Sequence, residues 1–136
     1  MNREAVIVGG GRVGRHTAEQ LVEQRYTVTV IERDGEKCAR LTNQRVGNVI
    51  EGSGTDRAVL DRADLERADV VAALTNDTRA NVVVCGLARE IGPEIRTIAR
   101  VAQDGERDYQ HLKDIDDVVY PAAAGAAIAV DHVTRQ

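Results

Sequence analysis

The sequence predicts an α/β domain built on a doubly wound, six-stranded parallel sheet, and three observations predict it. Six short runs rich in β-branched residues alternate with segments of helical periodicity. The first run ends in a glycine cluster, GGGRVG at residues 9–14, that opens directly into a helical pattern. An acid, Glu32, closes the second run 18 residues after Gly14. At 136 residues the chain has the length of one domain and can bury a sizeable core.

The strands are expected at EAVIVG (4–9), TVTVIE (27–32), GNVIEG (47–52), DVVAAL (69–74), IRTIARV (95–101) and DVVYP (117–121). Helices are expected between and after them, at 13–25, 35–46, 55–63, 77–91, 104–114 and 122–134. The fourth helix is the most clearly marked. Ala80, Val84, Leu87 and Ile91 fall on one face, Asn76 or Asp77 can cap its start, and Gly92-Pro93 stops it. No linker, repeat or low-complexity tract interrupts the alternation, so residues 1–136 read as a single Rossmann-type domain of strand order 3-2-1-4-5-6.

The first strand, glycine loop, helix and acid-tipped second strand have the layout of a dinucleotide-binding βαβ unit. Gly9 allows a tight turn, Gly11 lets backbone amides approach a pyrophosphate, and Gly14 lets the helix pack closely. The helix start near Arg12 adds free N–H groups and a positive dipole end. Glu32 can accept hydrogen bonds from both ribose hydroxyls and would repel a ribose 2′-phosphate, which favours NAD or an adenine nucleotide over NADP; Arg33 beside it pulls the other way. The competing reading is a glycine-rich turn that merely joins strand to helix. Leu74, Thr75 and Asn76 end the fourth strand, which faces the first across the topological switch point, so their backbone is expected to border the nucleotide.

The net charge of -4 and pI near 5.4 carry no nucleic-acid footprint. Cys38 and Cys85 stand alone, without metal-ligand spacing or a disulfide framework, which suits a reduced cytoplasmic setting. The opening MNREAVIV reads as strand rather than signal peptide. The apolar stretch PAAAGAAIAV at 121–130 falls short of the roughly 20 residues that span a bilayer, so no direct membrane insertion is expected.

In this order and with these gaps, GGGRVG, VIERD, EGSGTD, ADVVAALTNDTRANVVVC, TIARV and DVVYP resemble the nucleotide-binding N-terminal domain of RCK/KTN proteins, regulators of potassium channels and Trk/Ktr potassium transporters. The resemblance covers essentially the whole chain. Its most specific part is the middle block, where a strand runs into LTN and, after a short polar link, AN opens an apolar helix. The resemblance implies that Gly9, Gly11, Arg12, Val13 and Gly14 form the phosphate loop, with Arg12 near the phosphates. It places Glu32 on the ribose, Arg33 beside the adenosine, and Ser53, Gly54 and Thr55 against the adenine, with Ser53 standing where members usually carry Asp. Leu74, Thr75 and Asn76 would border the ligand, and Arg100 would reach a phosphate from the far side; its alternative is a surface Arg paired with an acid. Members commonly carry an acid after Pro121, where this chain has Ala122.

The implied ligand is NAD(H) or ADP/ATP. The implied role is that of a cytoplasmic regulatory subunit at the inner face of the membrane, acting on a potassium transporter or channel. The last helix, apolar almost all round, is expected to pack on a neighbouring copy in a homodimer or larger ring; the alternative is a core helix covering this domain's own sheet edge. Many members continue into a second, C-terminal ligand-binding domain, and this chain is read as lacking one.

No catalytic group is expected. Tyr109 and Lys113 have a YxxxK spacing, but Tyr109 reads better as forming a packing edge with Leu112 and Ile115, and DIDD at 114–117 reads as a solvated turn rather than a metal site. His16, His111 and His132 sit in separate helices without a nucleophile pattern. The alternative function is a small NAD-dependent oxidoreductase, or the cofactor-binding half of one; a third is an interaction module that has lost its ligand.

Overall fold

A computed structural model of the chain describes residues 3–102 and 112–135. The six strands are β1 (Glu4–Val8), β2 (Thr27–Glu32), β3 (Asn48–Glu51), β4 (Val70–Ala73), β5 (Arg96–Arg100) and β6 (Asp117–Val119). They form one sheet in the order β3-β2-β1-β4-β5-β6, and every pairing is parallel. The expected strand order therefore stands. Among the described residues five helices follow the strands: α1 (Arg12–Glu23), α2 (Gly35–Asn43), α3 (Arg57–Arg62), α4 (Thr78–Ile91) and α5 (Pro121–Thr134). Most of the helix expected at 104–114, with Tyr109 and His111, lies outside the described residues.

Alternation along the central strands divides the core into two layers. Val6 and Val8 of β1 and Val71 and Ala73 of β4 point into a cluster with Leu60, Val84, Cys85 and Ala88. Ile7, Ala72 and Leu74 point the other way, against Ala18 and Leu41. The sheet is thus closed by α1 and α2 on one side and by α3 and α4 on the other.

Helix starts are set by short acids. The Asp34 carboxylate accepts from the Glu36 and Lys37 amides, Asp56 caps α3 and Asp77 caps α4 by accepting from Ala80 N–H. Of the two residues expected to start α4, Asp77 does so. The buried face of α4, however, is Asn81, Val84, Cys85 and Ala88, whereas Ala80, Leu87 and Ile91 are only half-buried. The expected apolar stripe is rotated because a polar residue, Asn81, is fully buried. A short 3-10 turn at Leu65–Arg67, with Leu65 in the core, was not among the expected elements.

The DIDD segment is no simple solvated turn. The Asp116 carboxylate accepts from the Thr97 amide at 2.9 Å and from Arg89 Nη2 at 2.8 Å, fastening β6's approach to β5 and α4. Burial pushes the Asp116 pKa up, but the bonds from Thr97 and Arg89 outweigh it and hold the carboxyl below its ordinary value. Of the expected packing edge, Ile115 is buried while Leu112 is exposed.

α5 shows the opposite of what its composition asks for. No residue of it is buried, and Ile128, Val130 and Val133 are 61%, 59% and 82% exposed. It is not a core helix covering this domain's own sheet edge.

Candidate functional site

The cleft lies at the carboxyl ends of β1, β2 and β4, where α1 and α4 begin. It encloses about 750 Å³. Glycine shapes its floor. Gly9, at φ 106°, has backbone that a side chain rarely adopts, and a Cβ there would come within 2.9 Å of the Thr75 nitrogen. At Gly14 a Cβ would collide with the Gly9 carbonyl oxygen, so the missing side chain lets α1 close over the loop rather than over the sheet. Gly11 is different: a Cβ there meets no protein atom within 4 Å. It would stand in the open space of the cleft, which is what a backbone cradle for phosphate requires.

Gly11 also caps α1, without a side-chain hydrogen bond and with no acid in the first turn. The amides at that helix start face the cleft with their dipole end uncompensated by protein.

Glu32 is buried, 7% exposed, and its carboxylate is already engaged. One oxygen accepts from Gly10 N–H at 2.8 Å and the other from Asp34 N–H at 2.7 Å. Each oxygen retains acceptor capacity for a hydroxyl. The side chain thereby ties the glycine loop to the start of α2 while still lining the cleft.

The opposite wall is built by Asn81. Its Oδ1 accepts from Thr75 N–H at 3.1 Å and from the Thr75 hydroxyl at 2.7 Å. Its amide donates to the Thr75 carbonyl at 3.0 Å and to the Arg100 carbonyl at 2.8 Å. The ends of β4 and β5 are clipped together by one side chain. Thr75 lines the cleft with its backbone N–H and carbonyl both bonded to Asn81.

Among the described residues Arg100 has no acid partner. Its Nη1 stands 3.5 Å from the Leu74 carbonyl and its buried Nε has no hydrogen-bond partner. An unpaired buried guanidinium nitrogen at the edge of a cleft fits an anionic ligand.

Thirteen of the fourteen residues expected in the site line this one cleft: Gly9, Gly11, Arg12, Val13, Glu32, Arg33, Ser53, Gly54, Thr55, Leu74, Thr75, Asn76 and Arg100. Gly14 alone lies behind it. Ser53 and Thr55 share a hydrogen bond between their hydroxyls at 2.8 Å, and Gly54 lies where a Cβ would strike Val8, so the segment is drawn tightly over the core. Sequence reasoning missed Lys37, Asp77 and Arg79, which also line the cleft. Their signal was available, since both helices begin at strand ends that face the crevice and first-turn residues project over it.

Both thiols are free and buried. Burial pushes the Cys85 thiol up to about 12, against the nearby Arg89, and burial with Glu51, Glu32 and Asp34 raises Cys38. Among the described residues no group of three or more His, Cys, Asp and Glu can hold a metal ion, and no helix is long and apolar enough to cross a membrane. His16 and His132 are exposed.

Comparison with known proteins adds three findings. The TrkA-N domain family model matches residues 5–121. A Trk system potassium uptake protein TrkA homolog of Pyrococcus horikoshii is 36% identical over 134 residues, covering 96% of this chain and 58% of that protein. The chain thus spans less than two thirds of that relative's length. Among solved structures, the TrkA-N domain of inner membrane protein ybaL from Escherichia coli has a TM-score of 0.84 at 24% identity, over 96% of each chain. The GsuK channel bound to NAD has a TM-score of 0.74 at 22% identity, over 88% of this chain and 21% of the channel. These two likenesses share the sheet and its crossovers.

Proposed function

The chain belongs to the TrkA-N domain family, and on that premise we propose that it is the nucleotide-sensing part of a potassium-transport regulator, binding NAD(H) or ADP/ATP in the cleft between α1 and α4. The observation that carries the reading is the convergence of an open cradle above Gly11 with unpaired cations on both walls, Arg12 on one and Arg100 on the other. Phosphate supplies the anionic partner that Arg12 and Arg100 lack among the described residues.

In this reading Gly9, Gly11, Arg12, Val13 and Arg100 hold the phosphates, Glu32 and Arg33 meet the ribose and adenosine, and Ser53, Gly54 and Thr55 lie along the adenine. Gly14 supports the loop, and Leu74, Thr75 and Asn76 form the far rim. The protein works in the cytoplasm, through a membrane potassium transporter or channel, without nucleic acid and without entering the bilayer itself. Two copies associate through α5, in a dimer or a larger ring, and ligands that differ in phosphate or nicotinamide contacts shift how the copies sit. Only differential contact can do so, since a ligand held equally in two states shifts neither.

Calorimetric titration with NAD, NADH, ADP and ATP, repeated on Gly11→Ala, tests the cleft. The methyl group meets no protein atom, so the variant is expected to keep its stability within about 0.5 kcal/mol while losing at least about tenfold in affinity, a loss of about 1.4 kcal/mol. Unchanged binding would remove the cradle from the mechanism. Against the oxidoreductase alternative, NADH is expected to bind stoichiometrically without hydride transfer to a panel of carbonyl substrates; turnover would reverse the reading.

A further inference from the structure

Beside the cleft, on the outer flank of the glycine loop, a second groove of about 280 Å³ runs between α1 and α2. Its floor is Gly10 and Leu41, and its walls carry Arg12 and Arg15 from α1 and Lys37 and Arg40 from α2. The groove joins the nucleotide cleft, because Gly11, Arg12 and Lys37 line both. None of the four cationic side chains has an ion pair or a side-chain hydrogen bond among the described residues. In a chain of net charge -4, four unpaired cations around one groove are not a by-product of overall basicity.

Glu32, the acid that should oppose a further phosphate, lines the main cleft and does not line this groove. Both oxygens of Glu32 take backbone amides, and the side chain is buried under the loop. The neighbouring Asp34 carboxylate is used in capping α2 through Glu36 and Lys37 N–H. Glu32 is buried, whereas Arg12 and Arg40 are exposed and Arg15 and Lys37 half-buried.

We propose that this groove is a phosphate subsite for the 2′ position of the adenosine ribose, so that the site takes 2′-phosphorylated nucleotides of the NADP(H) class at least as readily as their unphosphorylated counterparts. The proposal rests on the nucleotide reading of the main cleft and reverses the discrimination expected of Glu32. Multiple charge-assisted contacts to one dianion set the expected size, about tenfold in affinity.

Calorimetry at constant ionic strength with AMP, 2′,5′-ADP, 3′,5′-ADP, NADH and NADPH tests it. The expected result is 2′,5′-ADP binding about tenfold tighter than AMP, with NADPH at least equal to NADH. The double variant Arg15→Glu/Arg40→Glu should abolish that gain while AMP affinity stays within about threefold, because neither residue lines the main cleft. Normal AMP and NADH binding with 2′,5′-ADP or NADPH about tenfold weaker would overturn the subsite alone. An equal gain with 3′,5′-ADP would overturn its assignment to the 2′ position. Failure of every adenine nucleotide to bind would overturn the main-cleft reading and the subsite with it.

Discussion

α4 and α5 are both 14 residues long, and each inverts what its composition announces. α4 carries a polar residue, Asn81, in the middle of its buried face and is anchored by it. α5 is apolar on every side and is buried nowhere. The difference teaches that hydropathy ranks how much a helix gains from a partner, but geometry decides whether this chain supplies one. In α4 the strand ends offered an unsatisfied amide and two carbonyls, and Asn81 has the donors and acceptor to meet them. Among the described residues α5 meets no such partner.

The sharpest way to break the comparison is Asn81→Leu, which keeps the branched shape and heavy-atom count and removes every bond of the clip. It leaves the Thr75 amide and the Thr75 and Arg100 carbonyls without their partner. A loss of about 3 kcal/mol in denaturant-midpoint stability is expected, together with weakened nucleotide binding as the cleft wall loosens. A loss below about 1 kcal/mol would show that water replaces the clip. On the other helix, Ile128→Asp with Val133→Asp is expected to leave domain stability within about 0.5 kcal/mol. Sedimentation of the same variant should show self-association weakened at least about tenfold, an effect of about 1.4 kcal/mol on the interface. If the domain unfolds instead, α5 belongs to this domain's own core.

The smallest effect concerns the far end of α4, where Arg89 and the Thr97 amide hold Asp116. Its folded pKa is depressed, so the stability it contributes is fully present above the ordinary carboxylate value of about 3.9 and is lost as pH falls through the folded value. Asp116→Asn is expected to remove that contribution at neutral pH, a small loss of denaturant-midpoint stability, and to flatten acid unfolding over that window.

What could be read from the sequence follows from the kind of residue involved. Gly9 and Gly14 are legible because a steric prohibition leaves its trace in residue identity, and the strands of the sheet are legible because a doubly covered parallel sheet needs continuous apolar runs. The position of Glu32 at the end of β2 is likewise a matter of spacing. Its partners are not, since the Gly10 amide comes to it across 22 residues and the Asp34 amide through the local turn that follows β2. The Asn of the AN pair was visible as part of a motif, yet nothing in its neighbours said that it would face inward and use up the backbone of Thr75. Arg79 and Lys37 escaped because first-turn cations look like ordinary surface charge until the strand ends are placed beneath them.

The contact of Gly9 with the Leu74-Thr75 backbone gives the cleft a mechanical property. The two halves of the sheet meet there main chain to main chain, with no side chain between them to change rotamer and no slack to take up. The floor is therefore a rigid joint. On the proposed reading a bound nucleotide would not signal by prying β1 from β4, and whatever distinguishes one ligand from another would be expressed at the rim, in how Arg12, Arg79 and Arg100 settle and in what those settled side chains then present to the outside.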